Sequence, residues 1–402
     1  MKTAVVMKMQ DLGVGYDHKA VVSHITQEIR QGQFVSLLGP NGAGKTTILR
    51  TLARLLAPQK GTVFLDGKNL QDYRQEELAR TLAVVLTERN FFGMFTGFDF
   101  VALGRYPHTG FLGRLQAKDI QKTQEALQMV NAADLAGRNF HELSDGERQK
   151  LLLARALAQE PEIIILDEPT IHLDLKHRLE VMTILRRFCR HQGISVIASL
   201  HDVDIASKVS DIVAMVRDSR IIGWGEPEDI LTEAMVTHLY ELDAASYDRW
   251  LGAIEMKGDG ASGKVFVVAG GGTGTVIYRL LAKRGFAVTT GVIHENDIDY
   301  YVAKAVGATL IREKPLEYIS EQSVARANRH LNGNTLVIDT GFPVTDLNKS
   351  NLDLLKTCMA ERKHIFTLRP EAEARELFGD DYEKLIFCQD ELNILKALAS
   401  HN

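Results

Sequence analysis

Runs of consecutive apolar residues, closed by glycine turns or polar residues and separated by stretches of helical period, organise this chain. Residues 34–38, 82–86, 163–166 and 194–200 show no polar alternation, the pattern of strands buried on both faces of a parallel sheet. Residues 3–38 read as strands joined by turns, with 21–25 an apolar segment and Gln31-Gly32-Gln33 a turn before the strand at 34–38. Residues 61–67 read as a strand entering a tight turn. From about 99 to 131 the period turns helical, broken at Tyr106-Pro107-His108-Thr109-Gly110, which predicts a separate helical lobe.

The pattern restarts beyond a flexible stretch, Gly258-Asp259-Gly260-Ala261-Ser262-Gly263. Strands are predicted at 265–269, 287–293, 308–311, 335–339, 364–368 and 385–387, most of them separated by helical stretches. That alternation implies a second, doubly wound α/β sheet. The predicted organisation is therefore a first domain over 1–257, a linker over 258–263 and a Rossmann-like domain over 264–402.

Length agrees, since 402 residues exceed one ordinary core. With 45% hydrophobic and 25% charged residues the chain reads as globular, and a net charge of −5 argues against a dedicated nucleic-acid binder. Cys189, Cys358 and Cys388 lie too far apart for a metal-ligand spacing or a disulfide frame, and read as buried small residues of a reducing compartment. No signal peptide is expected at the amino terminus, and no run of 18 apolar residues predicts a membrane span.

The first domain carries chemistry. Gly39-Pro40-Asn41-Gly42-Ala43-Gly44-Lys45-Thr46-Thr47 matches the phosphate-binding spacing of glycines, lysine and threonine between a strand and a helix. Its glycines let backbone N–H groups turn toward a triphosphate, Lys45 reaches the β- and γ-phosphates, and the Thr46 hydroxyl ligates Mg²⁺. Thr47 is placed for a phosphate oxygen, and the chain is predicted to bind a nucleoside triphosphate. The buried strand at 163–166 ends in Asp167 and Glu168: one acid to hold Mg²⁺ through water, the other to orient or deprotonate the attacking water. His201 stands at the end of the strand at 194–200, where it is either a γ-phosphate sensor or structural. Tyr16 either stacks on adenine or covers a sheet edge. Leu143-Ser144-Asp145-Gly146-Glu147 opens a helix, with Ser144 and Gly146 capping it or presenting N–H groups to an anion.

In this order, with Leu173-Asp174 between Glu168 and His201, these motifs resemble the ATP-binding cassette ATPases over residues from about 3 to 257. The resemblance implies a P-loop NTPase fold with a helical subdomain, ATP and Mg²⁺ as ligands, and a head-to-tail homodimer. In that dimer the P-loop of one copy faces Ser144 and Gly146 of the other, and Asp174 lies on the loop that crosses the interface. It also implies that Tyr16 stacks on adenine, Glu168 is the catalytic base and His201 the switch histidine. Residues 96–108 with Gly113-Arg114-Leu115 are similar to the ATPases of importers for iron-siderophore, haem and vitamin B12, in which this segment lies near the permease docking groove.

From that narrower resemblance follow two transmembrane permease subunits, a substrate-binding protein and a place on the cytoplasmic face of the membrane. Thr87, followed by Glu88, stands where the family carries a glutamine ligand to Mg²⁺; the shorter Thr87 would reach the metal through a bridging water, or Glu88 would take over. Asp145 replaces the second glycine of the signature, and its carboxylate is expected to point away from the phosphates. The rival reading is a non-transport cassette ATPase acting on nucleic acid or ribosomes. Such proteins carry two cassettes or a long coiled-coil insertion, and neither pattern is present.

In the second domain, Gly270-Gly271-Gly272-Thr273-Gly274 lies between strand and helix, as a phosphate site requires, without the third spaced glycine of a dinucleotide fingerprint. It is read either as the site of an unidentified ligand or as a close helix–strand crossing. Asp297, Asp299 and Asp339 fall at or beyond strand ends, where such sheets bind ligands. No catalytic constellation accompanies them, so the domain reads as regulatory.

Overall fold

The structure is a computed structural model and describes residues 4–17, 19–86, 95–110, 113–333 and 336–401. The chain forms two compact units, Met1–Leu231 and Thr232–Asn402.

In the first unit a six-stranded sheet runs in the order Arg220–Gly225, Ile212–Arg217, Phe34–Leu38, Ser195–Ser199, Ile163–Leu166, Leu82–Val85. All neighbours are parallel except the first pair. The strands Phe34–Leu38, Ser195–Ser199 and Ile163–Leu166 are buried at every position, which is why each reads as an unbroken apolar run or nearly so. A four-stranded antiparallel sheet includes Val5–Tyr16 and Lys19–Arg30. Helix Lys45–Leu52 buries Ile48, Leu49 and Leu52 in a core shared by both sheets, which fixes the glycine loop at its start. The helical lobe contains Gly97–Ala102, Ala117–Met129 and Asp145–Ala158, with Phe100 and Phe140 stacked at 4.3 Å between ring centres.

The second unit holds six parallel strands: Lys264–Val268, Ala287–His294, Thr309–Glu313, Leu336–Asp339, His364–Thr367 and Leu385–Phe387. Numbered along this unit they stand in the order 3-2-1-4-5-6, the doubly wound arrangement of dinucleotide-binding folds. Alternate residues of its first strand serve opposite cores. Val265 and Val267 pack with Ile277, Leu281 and Leu398, while Phe266 and Val268 pack with Ala327, Leu331 and Leu355. Helices therefore cover both faces, as the alternation of elements predicted.

The boundary differs from the expected one. Residues 232–257 fall within the second unit, and 258–263 are part of its body rather than a tether. A hairpin, Ala245–Asp248 with Ala253–Met256, packs on helices Thr275–Lys283 and Ile298–Ala305. Ser246 Oγ donates to Ala305 O at 2.6 Å, and Arg279 Nε pairs with Glu255 Oε1 at 2.8 Å. The glycine-rich stretch is pinned too, Gly258 N to Val306 O and Ser262 N to Gly285 O. Its composition reads as flexible because those partners lie far along the chain. Cys189 and Cys358 are buried, Cys388 partly so, and all three are free thiols.

Candidate active site

The loop after strand Phe34–Leu38 has Gly39, Gly42 and Gly44 at φ of 154°, 80° and 103°. Gly42 and Gly44 are in the left-handed region that side chains disfavour, and a Cβ on Gly44 would stand 2.6 Å from Val22 Cγ2. Gly44 is the N-cap of helix Lys45–Leu52, so no side chain caps the first N–H groups, as an anion site requires. Lys45 Nζ donates to Gly39 O at 2.7 Å and Pro40 O at 3.0 Å. Burial pushes its ammonium below the usual lysine value, opposed by the carboxylates of Glu168 and Asp167.

Across this loop stands the acid pair. Thr46 Oγ1 donates to Asp167 Oδ1 at 3.2 Å, bringing together two oxygen donors of the kind a hard divalent cation takes. Ser199 ties both acids in place: its hydroxyl donates to Asp167 Oδ1 at 2.7 Å and accepts from the Glu168 N–H at 2.8 Å. Glu168 is a non-glycine residue at φ 51°, a conformation that costs energy and turns it out of strand register. His201 Nε2 lies 2.7 Å from Glu168 Oε1. Lys45, Thr46, Asp167, Glu168 and His201 thus converge, and the donor set suits Mg²⁺ and a nucleotide triphosphate. Tyr16 is exposed at the end of strand Val5–Tyr16, in register with Lys19 of the strand whose Val21 and Val22 flank Gly44. Thr87 and Glu88 lie outside the described residues.

A second cluster joins Ser144, Gly146 and Asp174. Ser144 caps helix Asp145–Ala158, its Oγ accepting from the Glu147 N–H, while the Glu147 carboxylate accepts from Ser144 N at 2.8 Å and Oγ at 2.9 Å. Those bonds hold Glu147 below its ordinary carboxylate value. Asp145 reaches toward Arg148, Oδ1 to Nη1 3.8 Å. Asp174 caps helix Leu175–Arg187 and accepts from both the N–H and Nδ1 of His177, at 2.9 and 2.8 Å. The His177 ring lies against Gly146, where a Cβ would stand 2.5 Å from its Cδ2. His177 therefore links the signature segment to Asp174.

Sequence reasoning missed His177 and Ser199. Ser199 had a signal, a hydroxyl inside an apolar strand; His177 had none, since Gly146 is its neighbour only through folding.

The glycine turn of the second unit is engaged from within. Gly271 N donates to Asp297 Oδ2 at 2.6 Å, Gly274 N donates to both Asp299 oxygens at 3.0 and 3.1 Å, and Thr275 Oγ1 donates to Asp299 Oδ1 at 3.0 Å. Burial, with Asp297 adding to it, raises the Asp299 carboxyl above its ordinary value. Asp339 is fully buried and bonded to Arg369 Nε at 2.8 Å and Thr367 Oγ1 at 2.9 Å, a structural pair.

Residues 22–171 match the family described as ABC transporter, and residues 288–395 match the MJ0874 family. The chain is 43% identical over 286 residues to the uncharacterized ABC transporter ATP-binding protein MJ0873 of Methanocaldococcus jannaschii, covering 71% of this chain and 99% of that protein. It is 35% identical over 236 residues to the ferric enterobactin transport ATP-binding protein FepC of Escherichia coli, covering 59% and 87%. It is 32% identical over 316 residues to the cobalamin import ATP-binding protein BtuD of Halobacterium salinarum, covering 77% and 79%, a stretch longer than the first unit.

Proposed function

This chain belongs to the ABC transporter family of ATPases, and from that premise we propose that it energises uptake of a metal chelate, siderophore-iron, haem or cobalamin, through membrane permeases. It is an ATP-hydrolysing transporter subunit. Two copies close head to tail over two nucleotides, with Ser144 and Gly146 of one facing the glycine loop of the other. Two permeases and a substrate-binding protein complete the assembly. Those permeases hold the subunit at the cytoplasmic face; among the described residues no helix is long and apolar enough to cross a membrane.

Within each site Lys45 and the loop N–H groups hold the β- and γ-phosphates, and Tyr16 stacks on the base. Thr46 and Asp167 hold Mg²⁺, which when bound draws off charge developing on the phosphates. Glu168 takes a proton from the attacking water, and His201, 2.7 Å away, keeps that carboxylate oriented. Transfer to water then depends mainly on positioning and charge stabilisation.

The observation that best supports coupling to a permease is the two-sided segment Leu103–His108. Leu103 and Tyr106 face outward, 46% and 74% exposed, on a hollow of about 420 Å³ shared with Phe95 and Leu115. Gly104 and Arg105 face inward. A Cβ on Gly104 would stand 2.1 Å from Arg155 O, and Arg105 Nη1 donates to Ala158 O at 2.6 Å. A permease helix seated in the hollow therefore bears on the end of the helix that Ser144 caps.

Tyr106→Ala tests this. In vesicles bearing the permease partners, uptake of labelled cobalamin or ferric siderophore should fall about tenfold or more, as for loss of a central aromatic contact, while ATPase activity of the free subunit is retained. Unchanged uptake of both would refute the docking role. Cobalamin is the first cargo to assay, because the relative with that name aligns beyond the first unit.

A further inference from the structure

The second unit holds a cavity that ATP hydrolysis does not use. It has a volume of about 410 Å³, within the range of small-molecule sites. Gly271 of the glycine turn lines it, so it opens at the carboxyl ends of the parallel strands, beside the point between the first and fourth strands where the winding reverses. Sheets of this order take dinucleotides in that crevice. Three further loops line the cavity. Asp297 and Ile298 follow the second strand, Leu316 follows the third, and Leu347 and Asn348 follow the fourth. An acid after the second strand is the feature that receives ribose hydroxyls, and the three apolar side chains offer a wall for a base.

The phosphate half of the crevice is closed. The N–H groups of Gly271 and Gly274, which a diphosphate would need, already donate to Asp297 and Asp299. Pro343 lies over the turn, so close that a Cβ on Gly271 would stand 2.9 Å from its Cγ. No lysine or arginine is among the described residues lining the cavity, and the lining His294 is engaged through Nε2 with Glu317 O at 2.8 Å, so a phosphate there would meet the Asp297 carboxylate with no permanent counter-charge. Asp297 keeps acceptor capacity all the same. Its Oδ2 takes the Gly271 N–H and its Oδ1 the Asp299 N–H, one bond each, and a carboxylate oxygen accepts two.

We infer that this cavity binds a nucleoside carrying no 5′-phosphate, its ribose hydroxyls donating to Asp297 and its base against Ile298, Leu316 and Leu347. The second unit then reports on a nucleoside that is not the fuel of the first. This does not depend on which cargo is transported.

The test is equilibrium dialysis of the full chain against labelled adenosine, guanosine, cytidine and uridine in turn, with the ATP site kept saturated by Mg²⁺ and the β,γ-imido analogue of ATP. At least one should bind saturably at one equivalent per chain, and its own 5′-monophosphate and NAD⁺ should fail to displace it. Leu316→Asp should weaken that binding about tenfold or more by placing a charge on the apolar wall. Leu316 is 76% exposed at φ 61°, a conformation aspartate tolerates, so this variant keeps its fold. Absence of saturable binding by all four would overturn the inference, and so would equal competition by the monophosphate or NAD⁺, or binding unchanged in Leu316→Asp.

Discussion

Glu168 sits in a strained turn with its N–H on Ser199 and its carboxylate against His201. An amide in its place keeps the shape and removes the base. Glu168→Gln should therefore lower phosphate release by about 10²-fold or more while ATP-dependent dimerisation, followed by size-exclusion chromatography, persists. His177 is a positioning residue outside the phosphate loop and acid pair, and His177→Ala removes the ring that lies against Gly146 and bonds Asp174. In the same assay it should lower kcat several-fold without changing ATP affinity, and His177→Asn, which can still donate to Asp174, should recover part of the loss. A change in ATP affinity in place of kcat would show that His177 acts otherwise. The acid pair and the glycine loop were legible because their residues are contiguous and chemically distinctive. His177 was not, because its meaning lies in a contact with Gly146, far along the chain.

Among elements, the helical lobe depends on a buried cation. Arg105 is almost fully enclosed and reaches Asp119 at 3.1 Å and Glu160 at 2.8 Å, and Lys122 joins Glu160 at 2.9 Å. Burial alone would raise the Glu160 carboxyl, but Lys122 and Arg105 outweigh it and bring the group from 4.5 down to about 2. A depressed carboxyl stabilises the fold above its unfolded value and loses that contribution as pH falls through its folded value. Urea midpoints should therefore drop between pH 4.5 and about 2, and Glu160→Gln should flatten that part of the curve; an identical slope in the variant would contradict the account. The parallel strands were legible for the reason that makes them stable, burial on both faces. The hairpin at 245–256 was not, being two four-residue strands with polar residues among them, including Glu255, which is buried only because Arg279 meets it.

For the whole molecule, the division after Leu231 rather than after 257 makes that hairpin part of the second unit's core. A fragment of residues 232–402 should melt cooperatively, whereas one beginning at 258 loses the partners of Arg279 and Ala305 and should melt roughly 5–10 °C lower by calorimetry. Equal melting temperatures would place the hairpin outside the folded unit. Composition alone could not reveal this, since a glycine-rich stretch looks the same whether it swings free or is hydrogen bonded. One further property follows from the three cysteines. Burial pushes the thiols of Cys189 and Cys358 up to about 12 and raises that of Cys388, so little thiolate forms at neutral pH. Buried and raised, Cys189 and Cys358 are poor targets for thiol-directed probes, so once the half-buried Cys388 is replaced a cysteine at Tyr106 or Leu316, both exposed, would take a fluorophore or spin label selectively.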